Sequence, residues 1–293
     1  MKKHMFLSLL TVGGAFGLLS VMASLPVRQA YAQSNTSMDF APPIVFQAAG
    51  SNAESIQGTV EEFRTTLGNP NNGNAPGQLA GGHREINWDG GSTDNQNTTI
   101  AGNPFAGFQV TRGALFTTPD GTGFVQAPPV ADPAMFPPGG MAGLFNNPTY
   151  GTIFTAFSPR RLFSAIGGKI TDVTFFVPGP NNSDKPATVN SFGAVFTDVD
   201  LPDGSGPSTK RGNRKASTLI EYYDTYGELL FSSFVPASPG DGSLSFFGIV
   251  FDDVRIARVR IISGNVAPGP DDGRKQDIVM MDDFIYGEPQ PLR

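Results

Sequence analysis

The stretch IVMMDDFIYGEP, Ile278 to Pro289, places two adjacent acids, Asp282 and Asp283, inside an apolar run. Read as a strand, neighbouring side chains point to opposite faces. Asp282 then shares a face with Met280 and Phe284, and Asp283 shares the other with Met281 and Ile285. A buried carboxylate without a partner is costly, so the fold must supply one or keep the acid neutral. Three kinds of partner are open. Arg112, Arg160 and Arg161 lie in or beside apolar segments and offer a guanidinium. Backbone N–H groups of a neighbouring loop offer a cap, and a calcium ion would gather several oxygens at once. A catalytic pair is the poorer reading, because glycosidase acids face each other across an open cleft.

A second group stands in FTDVD, where Asp198 and Asp200 lie two residues apart at the end of an apolar strand. Like charges at that spacing repel unless water, a base or a cation intervenes. With Glu288, which follows the last strand, the candidate metal ligands are Asp198, Asp200, Asp282, Asp283 and Glu288. DVDLPDG comes near an EF-hand loop and fails its spacing: Asp203 and Gly204 each sit one place late, and the twelfth position is Thr209 rather than Glu.

The other chemistry-bearing residues cluster in AGGHREINWDGG. His83 is the one histidine outside the leader, and a serine triad built on it would rest on little else. There is no cysteine, which removes thiol catalysis and zinc–thiolate sites. Trp88, the single tryptophan, and Asp89 beside it form the candidate ligand-binding pair. The indole would stack on a sugar ring or, alternatively, anchor the end of a sandwich.

The elements that must hold these residues are short apolar segments bounded by Gly, Pro, Asn and Asp, the pattern of an all-β chain. Strands are expected over Gly107 to Thr118, Thr152 to Phe157, Ile170 to Val177, Thr188 to Thr197, Thr218 to Tyr223, Glu228 to Val235, Leu244 to Phe251, Arg255 to Ile262 and Ile278 to Tyr286. In RIARVRII, Ala257, Val259 and Ile261 alternate with Arg258 and Arg260, which predicts one wet face. VTFFV and IVMM are apolar on both faces and predict central strands. One helix is expected, in GTVEEFRTTLGNP, with Thr59 as N-cap, Glu62 completing a capping box and Gly68 and Pro70 as the stop. Asn69 to Gly82, Pro128 to Pro148 and the basic Asp203 to Lys215 read as loops.

The N-terminus addresses the compartment. Lys2 and Lys3 precede an apolar run from Phe6 to Leu25, and AYA at Ala30 to Ala32 supplies a small-x-small cleavage site. This is the layout of a secretory signal peptide, with Gln33 as the expected first mature residue. The alternative, an uncleaved anchor, is opposed by Gly13, Gly14 and Gly17 and by the cleavage motif. The leader carries Lys2, Lys3 and Arg28 and no acid, so removing these three positive charges moves the net charge from −6 to −9. An acidic product with few basic clusters is a poor partner for nucleic acid, and no membrane insertion is expected after cleavage. The expected organisation is a leader over 1–32, an extension with a short helix over 33–83, a β-sandwich over 84–288 and a tail over 289–293.

REINWDGG, FSPRRLFSAIGGKITDVTFFVPG, FGAVFTDVD, LSFFGIVFDD and MDDFIYGEP together resemble a family of secreted bacterial proteins with a jelly-roll, galactose-binding-like β-sandwich. The resemblance spans most of the mature chain. It implies export and a jelly-roll-like two-sheet sandwich, similar in outline to carbohydrate-binding modules, and it implies no reaction. The expected function is therefore that of a secreted or periplasmic, non-catalytic β-sandwich that binds extracellular glycan or cell-envelope material, with calcium as an optional structural cofactor. A polysaccharide-acting hydrolase and a structural envelope or matrix component are the readings from other classes.

Overall fold

A computed structural model describes residues 41–90, 96–130, 139–200, 217–252, 256–271, 273 and 276–292. The expected leader and the basic loop Asp203 to Lys215 lie outside the described residues. All described residues belong to one compact unit, Asp39–Arg293.

In chain order the elements begin with β1 (Ile44–Gly50), α1 (Ala53–Leu67), β2 (His83–Ile86), β3 (Thr99–Gly102), α2 (Gln109–Arg112), β4 (Ala114–Thr117) and β5 (Gly123–Ala127). Two helical turns follow, α3 (Gly140–Leu144) and α4 (Tyr150–Ile153), then β6 (Leu162–Ile166), β7 (Ile170–Phe176), β8 (Pro186–Thr188) and β9 (Ser191–Thr197). The remainder is β10 (Leu219–Tyr223), β11 (Leu229–Phe234), β12 (Leu244–Val250), β13 (Arg258–Ile262), β14 (Met280–Gly287) and β15 (Gln290–Pro291).

Among the described residues these strands form two antiparallel sheets. The first has eight strands in the order β1-β12-β9-β14-β6-β5-β3, with β2 also paired to β14. The second has seven in the order β11-β10-β13-β7-β8-β15, with β4 also paired to β7. The chain is thus an all-β, two-sheet sandwich, as its short alternating segments predict. β7 and β14 are interior strands of their sheets, in keeping with VTFFV and IVMM being apolar on both faces.

The main core lies between the sheets and contains Trp88, Phe116, Phe163, Val173, Phe192, Phe247, Val259 and Phe284. Two further clusters cover the outer face of the first sheet. One packs Ile56, Val60 and Phe63 of α1 on Phe46, Val195, Phe246 and Ile285. The other packs Met141 of α3 and Tyr150 of α4 on Val125, Leu162 and Met280.

Several expectations are corrected. The sandwich begins at Ile44 rather than at residue 84, because β1 pairs with β12 along its whole length and α1 seals the face beside it. α1 starts six residues before the expected cap: Asn52 Oδ1 accepts the N–H of Ser55 at 3.0 Å, forming the capping box. Gly58 obscures that start in the sequence, but Ile56 extends the Val60–Phe63 stripe back by a turn and its burial makes the extra turn worthwhile. Gly107 to Thr118 is not one strand. It forms the turn α2, closed by Gly113 in the left-handed region (φ 73°), and only then β4. Thr152 to Phe157 belongs to α4 and an extended link rather than to a strand. β1, β2, β3, β5, β6, β8 and β15 were not expected, being short or carrying polar and small residues, and the strand expected over Thr188 to Thr197 divides between β8 in the second sheet and β9 in the first.

A pair of glycines fixes how α1 sits. Gly193 on β9 faces Gly248 on β12 in register. A Cβ at Gly193 would lie 2.9 Å from the Phe63 ring, and one at Gly248 would lie 3.0 Å from it. The two missing side chains form the slot that receives Phe63, which meets Phe46 and Phe246 edge-on at 5.3 Å. Gly193→Ala should therefore destabilise the protein by about 1–3 kcal/mol through overpacking, readable as a lower denaturant midpoint. An unchanged midpoint would mean that Phe63 has room to move.

Candidate functional site

β14 does not alternate through its acids. Between Met281 and Phe284 it advances while β9 moves only from Phe196 to Ala194, so a β-bulge falls at Asp282–Asp283. Met281 and Phe284 keep their places in the inter-sheet core. Ser158 Oγ lies 2.6 Å from Asp283 Oδ1 and 3.3 Å from Asp282 Oδ1, so both carboxylates turn to the same side. The expectation of one acid per face is corrected by that extra residue.

Both acids are buried, Asp282 completely. Asp282 Oδ2 accepts the backbone N–H groups of Phe157 at 2.6 Å and Ser158 at 3.2 Å. Asp283 Oδ2 takes Arg64 Nη2 of α1 at 3.1 Å. Arg64 also donates from Nε and Nη2 to the two oxygens of Glu85 on β2, at 2.9 and 3.1 Å. Glu85 Oε1 lies 2.8 Å from His83 Nε2, whose other ring nitrogen lies 2.7 Å from the Gly68 carbonyl. The result is a chain of polar contacts, His83–Glu85–Arg64–Asp283–Ser158–Asp282, joining α1, β2, β14 and the link before β6.

The electrostatics of this chain are uneven. Burial, and then the charge of Asp283, pushes Asp282 far above the ordinary carboxylate range against its two backbone donors. Burial also raises Asp283, opposed by Ser158 and Arg64. A proton held by the pair is therefore expected on Asp282, because Asp283 has the Arg64 guanidinium beside it. Burial works against charge on Glu85 and His83 too, but their mutual hydrogen bond and the contacts to Arg64 and Gly68 prevail, lowering Glu85 and raising His83. The partners that Asp282 and Asp283 find are backbone N–H groups and an arginine, yet that arginine is Arg64 on the helix, not Arg112, Arg160 or Arg161.

The remaining expected site residues lie elsewhere. Glu288 is closed by Arg84, whose Nη2 and Nε reach its two oxygens at 2.7 and 2.8 Å. Asp198 follows β9 in a left-handed turn (φ 67°), so Asp198 and Asp200 do not continue the strand's alternation. Asp200 Oδ1 accepts the N–H of Gly240 at 2.8 Å, and its own N–H reaches Asp277 Oδ1 at 3.2 Å. The five acids proposed for calcium thus occupy three separate places. Among the described residues no group of three or more His, Asp or Glu side chains stands so as to hold a metal ion.

Trp88 is not a sugar platform. It is fully buried, stacked on Phe163 at 3.8 Å with the planes 1° apart and met edge-on by Phe108, Phe116 and Phe284. Its Nε1–H donates to the Asp282 carbonyl at 3.0 Å, so the indole holds the backbone of the bulge. Asp89 is also buried and accepts the N–H groups of Arg160 and Arg161 at 2.6 and 2.8 Å. The reading of Trp88 as a hydrophobic anchor is the one the geometry bears out, because a single large aromatic gains most from full burial.

What the sequence reading missed is the outer face of the second sheet. Register places Ser232, Glu221, Arg260, Asp172 and Thr117 in one lateral row across β11, β10, β13, β7 and β4. The next row holds Tyr223, Arg258, Thr174 and Leu115. Arg260 grips Asp172 with two bonds of 2.7 and 2.8 Å, and Arg258 Nη1 adds a third at 3.2 Å. The Arg258 guanidinium stacks 3.9 Å from the Tyr223 ring centre, and the Tyr223 hydroxyl donates to Glu221 at 2.7 Å. Only β13 is legible in advance as having a wet face. The same alternation in ITDVTFF and LIEYY, with Asp172, Thr174, Glu221 and Tyr223 in phase, was the available signal.

Among the described residues no helix is long and apolar enough to cross a membrane. No family model and no curated protein matches the chain. A solved fucose-binding module of Streptococcus pneumoniae aligns with 72% of this chain and 99% of its own, at 7% identity and a TM-score of 0.22, so the functional reading rests on the geometry above.

Proposed function

We propose that the protein is an exported, non-catalytic β-sandwich that binds glycan or cell-envelope material on the outer face of its second sheet. The observation that carries this reading is the contrast between the two outer faces. The first sheet is covered by α1 and by the α3–α4 segment. The second presents part-exposed Glu221, Tyr223, Arg258 and Arg260 in adjacent rows. Donors, acceptors and a fixed aromatic ring on a broad surface suit a polyhydroxylated ligand, whose hydroxyls need both bond types and whose ring faces are apolar. The acids that would serve a hydrolase are enclosed by protein partners: Asp282, Asp283 and Glu288 are all buried.

The test is a glycan array with the mature protein and with Tyr223→Ala. Retention of at least one glycan class without product release is expected, with affinity in the variant about tenfold weaker, the loss of one aromatic contact. No retained glycan, or equal binding by both proteins, would overturn the reading. Export is checked by the N-terminal sequence of protein recovered outside the cytoplasm, expected to begin at Gln33.

A further inference from the structure

β1 ends the first sheet, and among the described residues its outer side has no strand partner. The other three ends of the two sheets are guarded. β3 has four residues, β15 has two including Pro291, and the pairing of β11 with β10 is broken by a bulge. Such devices keep sheet edges from recruiting further strands. β1 has none of them: seven residues, no charge, no proline and an unbroken register against β12. Ile44 and Val45 are 53% and 40% exposed at its start.

Beside this edge runs a groove of about 420 Å³, with Ile44, Val45 and Gln47 along the strand and Thr59, Glu62 and Thr66 along α1. The helix residues recur at spacings of three and four, so they form one straight wall. One carboxylate, Glu62, stands in that wall. Glu54, Glu61 and Glu62 are exposed on α1, while its one arginine, Arg64, turns inward to Glu85 and Asp283 as well as to Glu61. Glu62 makes no salt bridge among the described residues, and β1 offers no cation.

We propose that this edge is a docking site for an extended, basic peptide segment of a partner protein, which adds to the first sheet as a strand beside β1. Main-chain bonds to the free edge would supply affinity. Alternate apolar side chains would cover Ile44 on the face shared with Phe46 and α1, and a lysine or arginine would meet Glu62. The acidity of α1 as a whole, with Glu54, Glu61 and Glu62 against Arg64, argues against a second copy as the occupant, since a two-fold pairing of β1 with itself would bring two such helices together.

The experiment is amide hydrogen exchange on the mature protein with a seven-residue amidated peptide that alternates threonine and valine and carries lysine at both ends. Those amides of residues 44–50 that point away from β12 are expected to slow by about tenfold or more in its presence. The same peptide with glutamate ends should give no slowing, and Glu62→Gln should weaken the lysine peptide several-fold while leaving the thermal melt unchanged. Val45→Lys, a charge set on the edge itself, should abolish the effect. The proposal is overturned if the lysine peptide protects nothing, if both peptides protect equally, or if these amides are already protected without peptide. In that last case, dependence on protein concentration would assign the edge to a second copy, and independence to the protein's own chain.

Discussion

Arg84→Ala is expected to cost about 3–5 kcal/mol of folding stability, the largest loss of any single polar replacement in this protein. Arg84 is completely buried, and Glu288, its partner, is nearly so. The guanidinium also closes the irregular segment over Asn69 to Gly82, donating to the carbonyls of Gly73 and Ala75 at 2.8 and 2.9 Å, and it reaches Thr111 at 3.2 Å. Among the described residues, removing it leaves the buried carboxylate with Asn72 Nδ2 at 2.7 Å and strips donors from three carbonyls. Loss of packing adds to this, because the aliphatic stem is buried as well. The paired change Arg84→Met with Glu288→Met should recover much of the loss, since the desolvation of two charges disappears together. Chemical denaturation of the three proteins checks it. A double variant as unstable as the single would show that the carbonyl contacts, not the ion pair, dominate.

Asp282→Asn is expected to leave stability unchanged at acid pH and to raise it progressively toward alkaline pH. The sign follows from linkage. Asp282 is pushed above its ordinary value of 3.8 by burial and by Asp283, so the folded protein holds a proton that the unfolded chain releases. Stability from that proton is complete below about pH 4 and falls by up to about 1.4 kcal/mol per pH unit as pH rises toward the folded value. His83, also raised, contributes in the same direction from above its ordinary 6.5. Glu85 is lowered, and its contribution is lost instead as the solution becomes acidic. Asparagine keeps an oxygen for the N–H groups of Phe157 and Ser158 and an N–H for Asp283, with nothing to ionise. Melting curves of both proteins at pH 5, 7 and 9 should therefore diverge. Parallel curves would mean that Asp282 is not the group that holds the proton.

These two sites show where sequence reasoning reaches and where it stops. The acids of IVMMDDFIYGEP announce a buried charge problem, because their neighbours leave no polar face. That they need partners follows from composition alone. Which partners they get does not: Arg64 lies 219 residues away along the chain, on a helix whose docking depends on two cross-strand glycines. The bulge that turns both carboxylates to one side is a mismatch between β14 and β9, and a single strand carries no record of its neighbour's register. Trp88 illustrates the same limit. Its type predicts either a ligand platform or an anchor, and only the rings of Phe108, Phe116, Phe163 and Phe284 gathered around it select the anchor.

Local sequence determined what local physics controls: the all-β class from short alternating segments, the central strands from doubly apolar runs, the wet face of β13 from its arginines, and the loop of Asn69 to Gly82 from its Asn, Gly and Pro. The tertiary structure alone decided the place of β1 in the sheet, the slot for Phe63, the destination of each buried charge and the assembly of Glu221, Tyr223, Arg258, Arg260 and Asp172 into one surface. The reason is the same in each case. A backbone period is written within a few residues, whereas strand register and the pairing of buried charges are set by segments far apart in the chain and brought together only by the burial of the whole core.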